Sequence, residues 1–250
     1  MKEVYERLGC EYVNEFDCFQ KIGTVDRLQE EFGAIYSLTK LCLEHEIETK
    51  GIITLTRFEQ FAEILETTVP KTFDFKKYLA PELKERKNDG VLFAPYSDGR
   101  NRAYSMVRET YQMLSTENFV EVIGLWGMPT LSYEEFIRRI YDAQVVLTVD
   151  TGVLHFALAL GTPVVALMGG SDDWSIIWQY RRFGEVKCRV LRSKVHNSEC
   201  QRPCNYRREL GFSVNDKCTK PGNYSDCLNE ISEQDILETV NDFIEQLGEK

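Results

Sequence analysis

From Gly90 onward, short continuous apolar runs alternate with segments of helical spacing, and this alternation restricts the chain to very few folds. Gly90–Tyr96 (GVLFAPY), Phe119–Leu125 (FVEVIGL), Val145–Val149 (VVLTV) and Pro163–Met168 (PVVALM) read as buried strands. Between them, Ala103–Leu114 places Met106, Val107, Thr110 and Leu114 on one side. Ser132–Ala143 begins with a capping box, Ser132 with Glu135 three residues on. Val153–Leu160 is a short apolar helix closed by Gly161, and Glu233–Leu247, capped by Ser232, turns Ile236, Val240, Phe243, Ile244 and Leu247 inward. Strands that are apolar throughout need cover on both faces, which predicts an α/β fold around a parallel sheet. In such sheets ligands bind beyond the carboxyl ends of the strands. Four turns are therefore expected to meet at one edge: Ser97–Arg102, Gly124–Gly127, Asp150–Gly152 and Gly169–Asp173.

The region before this alternation is organised differently. Val4–Leu8, Glu11–Phe16 and Ala34–Leu38 are candidate strands, and Arg57–Glu66 a candidate amphipathic helix. Lys71–Asn88 carries many charges and Pro81, and is expected to link two parts. The organisation predicted is a smaller α/β region over residues 1–85 and a larger domain over 86–250. No apolar stretch approaches the ~20 residues a membrane-spanning helix needs. Residues 1–20 hold five acids, unlike a signal peptide, so the cytoplasm is the default compartment. A net charge of −10 argues against nucleic acid or an anionic membrane as partner, since both repel an acidic chain. Lys194, Arg202, Arg207 and Arg208 form the best local basic group.

The chemistry is concentrated in Val145–Asp173, VVLTVDTGVLHFALALGTPVVALMGGSDD. Asp150-Thr151-Gly152 ends a strand and opens a helix, where backbone N–H groups point outward and suit phosphate oxygens. Gly152 permits close approach of a ligand, Thr151 adds a hydroxyl, and His155 lies one turn into the helix. Gly169-Gly170 repeats the arrangement one strand over. The simpler alternative is that Asp150 only caps the helix and His155 is a satisfied, half-buried histidine.

The motif D-T-G-x-x-H-x-A-x-A-L-G-x-P-x-V-x-L-x-G, from Asp150 to Gly169, resembles the signature of the heptosyltransferases, glycosyltransferase family 9. Thr130–Phe136 and the pattern Cys200-x-x-Pro203-Cys204, Cys218, Cys227-Leu228 are similar to further stretches of that family. The resemblance spans roughly residues 90–247. It implies a GT-B architecture whose C-terminal Rossmann-like domain binds a nucleotide-diphosphate sugar, and transfer of that sugar to a saccharide or other hydroxyl acceptor. No cofactor is obligatory in such a reaction. By position, Asp150, Thr151 and Gly152 would meet the diphosphate or ribose, with His155 supporting that turn. Ser97, Arg100 and Arg102 would reach the phosphates, and Trp126 and Phe136 would flank the base. Gly127, Glu134, Gly169 and Gly170 complete the expected donor site.

The family's opening strand, glycine-rich turn and helix, which supply its general base, are not recognisable here. The N-terminal domain is therefore expected to be truncated, and Asp17 and Asp26 are only weak candidates for a catalytic acid or base. Eight cysteines are many for a cytoplasmic chain. Cys200, Cys204, Cys218 and Cys227 could hold a structural Zn²⁺, with His196 as an alternative ligand, or remain reduced thiols or oxidised pairs. Three functions stay open at this point. The chain is a glycosyltransferase, a nucleotide-binding module that is catalytically degenerate or needs a partner chain, or a zinc-stabilised interaction protein with a vestigial sugar-nucleotide crevice.

Overall fold

The computed structural model describes residues 56–64, 67–97, 103–124, 128, 130–169, 173–192 and 226–248. Its centre is a parallel sheet of five strands: β1 (Val91–Ala94), β2 (Val120–Val122), β3 (Val145–Val149), β4 (Val164–Leu167) and β5 (Cys188–Leu191). Their spatial order is β2-β1-β3-β4-β5, with all four pairings parallel. β1, β3 and β4 are buried along their whole length, as the unbroken apolar runs require.

Successive residues of each strand face opposite layers. Leu92, Ala94, Val146, Val164 and Ala166 pack with α2 (Phe75–Leu79), α4 (Tyr133–Asp142) and α5 (Gly152–Ala159). Val91, Phe93, Val145, Leu147, Val149, Val165 and Leu167 pack with α3 (Val107–Leu114) and α8 (Glu233–Gly248). The expected Rossmann-like sandwich of helices on both faces of a parallel sheet is what forms. Among the described residues, no helix is long and apolar enough to cross a membrane.

Local signals explain where elements start and stop. In α4 the Glu135 backbone N–H donates to Ser132 Oγ at 3.2 Å, and the Ser132 N–H donates to Glu135 Oε2 at 3.0 Å, so the capping box is complete. At α8 the Asp235 N–H donates to Ser232 Oγ at 3.1 Å. Gly161, just beyond α5, has φ +68°, a conformation glycine adopts without strain. Gly90 is required for a different reason. Its φ is +65°, and a Cβ there would sit 2.4 Å from the Phe119 carbonyl oxygen, the atom that accepts from Val91 N–H at the start of β1.

Two expectations change, and one stretch carries elements that were not expected. The segment 71–88 is not merely a link. Asp74 caps α2, accepting from Lys77 N–H at 3.1 Å, and Leu79, Ala80 and Leu83 are buried in the core. Arg86 donates to Thr162 Oγ1 at 3.1 Å and lies 4.9 Å from the Tyr141 ring, fastening the segment to α4 and the entry of β4. The helix expected over 103–114 starts only at Val107, because Ser105 is engaged elsewhere: its N–H and hydroxyl both donate to Asn229 Oδ1. Finally, β5, the short helix α6 (Asp173–Ile176) and a 3-10 turn over Trp178–Arg182 follow β4 without an obvious sequence signal. The helix expected at 57–66 forms over Arg57–Ile64 as α1. The candidate strands in residues 4–38 lie outside the described residues.

Tyr104 ties this scaffold together and gives it an alkaline limit. Its ring is fully buried, and its hydroxyl lies 3.0 Å from Thr110 Oγ1 and donates to the Ile231 carbonyl at 3.4 Å. Burial pushes its pKa up to about 12, outweighing the hydrogen bond from Thr110 that lowers it. An unfolded tyrosine ionises near pH 10, so this contribution is whole below pH 10 and is lost as pH rises from there to about 12. Chemical denaturation at about pH 9 and about pH 11.5 should show Tyr104→Phe losing roughly 2 kcal/mol less than the unaltered protein over that interval.

Candidate functional site

Every strand of a parallel sheet ends on the same side, so the turns after β1, β3 and β4 share one edge. The order β2-β1-β3-β4-β5 also reverses direction at one place. From β1 the chain steps outward to β2, then returns past β1 to β3. Connections that diverge in this way leave a crevice between the carboxyl ends of β1 and β3, where doubly wound sheets bind their ligands. Asp150-Thr151-Gly152 stands at the β3 side of that crevice, and Ser97, half-buried, lies shortly after β1.

The turn after β3 is built as a helix start. Thr151, not Asp150, is the N-cap of α5; it is extended at φ −153° and ψ 171°, and its own side chain makes no capping hydrogen bond. Asp150 therefore precedes the N-cap position rather than occupying it. Asp150 is 7% exposed, a carboxylate held at the rim of the core. Gly152 is exposed, has no positive φ, and a Cβ on it would meet no described atom within 4 Å. Its described neighbours therefore do not explain the absence of a side chain. The first-turn N–H groups and the helix dipole favour an anion there.

His155 sits one turn into α5, with Nδ1 3.2 Å from the hydroxyl of Tyr180. Tyr180 is buried within the 3-10 turn, which burial alone makes reluctant to ionise. Its ring meets Phe58 of α1 edge-on at 5.3 Å and Phe75 of α2 at 5.7 Å. One strand over, Gly169 is buried, and its carbonyl accepts from Arg192 at 3.0 Å. The other guanidinium nitrogen of Arg192 donates to Asp173 Oδ1 at 2.6 Å, bracing the turn between β4 and α6. Neither Tyr180 nor Arg192 was among the residues singled out from sequence. Arg192 follows β5 directly, so recognising that strand would have placed it at the ligand edge.

The remaining predicted residues divide clearly. Glu134 is exposed in the first turn of α4. Phe136 is half-buried and packs edge-to-face on Phe156 at 5.5 Å, joining α4 to α5. Cys227 is half-buried in α7 (Asp226–Asn229). Arg100, Arg102, Trp126, Gly127 and Gly170 lie outside the described residues, as do Asp17, Asp26, Cys200, Cys204, Cys218 and the basic group from Lys194 to Arg208. Among the described residues there is no group of three His, Cys, Asp or Glu side chains placed to hold a metal ion. A cavity of 490 Å³ lies elsewhere, at the opposite end of α5, lined by Phe73, Phe75, Lys76, Ala159, Leu160 and Phe183 among others.

A model of glycosyltransferase family 9 (heptosyltransferase) matches residues 67–198, more than half of the chain. The chain belongs to glycosyltransferase family 9. The match takes in the sheet, the Asp150-Thr151-Gly152 turn, His155, Tyr180 and Arg192. No curated protein matches the chain. Among solved structures, the dodecameric iron-containing heptosyltransferase TibC in complex with ADP-D-beta-D-heptose is similar at 16% identity and a TM-score of 0.54, over 77% of this chain and 54% of that one. TibC from enterotoxigenic E. coli, described as an iron-containing dodecameric glycosyltransferase, gives 14% identity and a TM-score of 0.50, over 67% and 49%. The E. coli heptosyltransferase WaaC with ADP-2-deoxy-2-fluoro heptose gives 17% and 0.45, over 74% and 54%. The family 9 chain thus spans about half the length of these structures, and the likeness to TibC is one of fold: the Rossmann-like sheet of a GT-B glycosyltransferase.

Proposed function

We propose that this family 9 chain binds a nucleoside-diphosphate sugar in the crevice between β1 and β3 and serves transfer of the sugar to a hydroxyl acceptor. The observation that carries this is the coincidence of two independent features. The family motif Asp150-Thr151-Gly152 falls at the one place where the sheet order reverses, and there it opens a helix whose N-cap side chain makes no capping bond.

Elementary chemistry assigns the parts. A carboxylate repels phosphate, so Asp150 is suited to accept from ribose hydroxyls, while Thr151 and the N–H groups of the first turn of α5 donate to the diphosphate. Gly152 leaves room for it. Ser97, with Arg100 and Arg102, would approach from the β1 side and stabilise charge building on the leaving diphosphate. Trp126, Gly127, Glu134 and Phe136 belong to the base side in this reading, with Gly169 and Gly170 closing the far wall. ADP-heptose is the first donor to try, because TibC carries it in a related fold. The acceptor would be a glycan or another hydroxyl compound.

The test is thermal stability against ADP, UDP, GDP, CMP and dTDP, followed by hydrolysis or transfer of the matching sugars. A nucleotide at a hundred times its dissociation constant should add about 2.7 kcal/mol. Asp150→Asn should abolish the selective shift while melting normally without nucleotide. A shift retained in that variant, or absent with every nucleotide, would refute the proposal. Binding without hydrolysis or transfer would favour the nucleotide-binding module.

A further inference from the structure

We infer that Arg192 is a positioning residue for the nucleotide site. Its guanidinium joins Gly169 and Asp173, the two ends of the turn after β4, and holds them beside the Asp150-Thr151-Gly152 turn instead of binding the diphosphate itself. The nucleotide part rests on the donor-crevice reading above; the staple between Gly169 and Asp173 does not.

β3 and β4 run parallel with Val149 opposite Leu167, so Asp150 and Met168 are the next residues out on neighbouring strands. Paired strands lie about 5 Å apart. Gly169 therefore leaves the sheet directly beside the donor turn, and whatever fixes Gly169 fixes the border of that turn on the side away from β1. Beyond β4 the register continues. Leu167 is opposite Leu191, and the Met168 N–H donates to the Leu191 carbonyl at 2.9 Å. The ladder thus carries Arg192 to the same edge, next to the residues it holds.

Arg192 Nη1 donates to the Gly169 carbonyl at 3.0 Å, and Nη2 donates to Asp173 Oδ1 at 2.6 Å. One planar group reaches both acceptors at once, which sets the distance between the ends of the turn. The Arg192 and Asp173 side chains are 29% and 30% exposed, so most of the pair is shielded from the water that would loosen it. Asp173 also balances the guanidinium charge. A cation meant for a diphosphate would be weakened by a carboxylate in contact with it, and that carboxylate would itself repel phosphate oxygens. A staple needs the carboxylate; a phosphate ligand is better without it. The two roles therefore predict opposite signs for removal of Asp173.

Calorimetric titration of ADP into the full chain, with a thermal melt of each variant, decides between them. Arg192→Gln and Asp173→Ala should each weaken ADP binding about tenfold, the scale of one hydrogen bond, and the double variant should bind no more weakly than either. Arg192→Lys should lose nearly as much, because an ammonium keeps the charge but cannot span two acceptors. The melts test the staple on their own: without nucleotide, the Tm losses of the two single variants should not add in the double. Should Asp173→Ala fail to fold, Asp173→Asn removes the same charge and carries the same test of sign. Tighter ADP binding on loss of the Asp173 charge, or full affinity in Arg192→Lys, would overturn the inference by showing that the cation acts on the diphosphate. Unchanged affinity in Arg192→Gln would overturn the positioning role, and additive Tm losses would overturn the staple. An unaltered protein that binds no nucleotide would defeat the donor reading and the positioning role with it, while the melts still decide the staple.

Discussion

Gly152→Val is expected to leave the melting temperature nearly unchanged and to lower kcat/KM, or nucleotide affinity where no turnover is seen, by about a hundredfold or more. The stability half of this rests on the backbone. Gly152 is the first residue of α5, is exposed, has no positive φ, and has open space where a Cβ would be. A side chain there strains nothing, and exposed substitutions of this kind usually stay within about 0.5 kcal/mol. The binding half rests on what the open space is for. Two methyl groups in front of the first-turn N–H groups would push a diphosphate outward by an ångström or more, and misplacement of ~1 Å costs on the order of 100-fold. Parallel thermal melts and donor titrations check both halves. A variant that binds normally would mean that the anion does not approach α5.

Leu147→Ala should do the reverse, lowering stability and leaving function to fail only with the fold. Leu147 lies in the middle of β3, the central strand, with no exposed surface, and packs among Phe93, Leu167 and the residues of α8. Removing its three outer carbons leaves a cavity the sheet cannot close, at a cost of about 2–5 kcal/mol. For a chain of this size that corresponds to a fall of roughly 5–15 °C in Tm. Below its lowered Tm the variant should bind nucleotide as the unaltered protein does, because the Asp150–Gly152 turn begins beyond the strand end. Loss of less than about 1 kcal/mol would show that β3 is not the closed centre of the core.

The two substitutions lie five residues apart, and the strand and helix start that hold them were readable in the sequence for the same reason: the information is local. The pentapeptide VVLTV, the turn Asp150-Thr151-Gly152 and the closing Gly161 each fix their own conformation within a few residues, as does the capping box of Ser132 and Glu135. What the sequence did not show depends on distant contacts. Tyr180 reaches His155 across 25 positions and Arg192 reaches Gly169 across 23, and neither pairing leaves a periodic trace. β5, CRVL, is half-exposed and broken by an arginine, so it lacks the apolar run that marks β3. α2 is five residues long, too short for helical periodicity to register, and its surrounding charges conceal that Leu79, Ala80 and Leu83 enter the core. Asp150 illustrates a finer point. Its spacing before a helix suits a cap, yet Thr151 takes the N-cap position.

The central claim is that a nucleoside diphosphate binds at the amino end of α5, between β1 and β3. A crystal structure of the chain grown with ADP tests it most directly. The expected result is diphosphate oxygens within hydrogen-bonding distance of the first-turn N–H groups of α5, with the ribose on Asp150. ADP seated instead in the cavity beside Phe73 and Phe183, or absent from the crevice at saturating concentration, would contradict it.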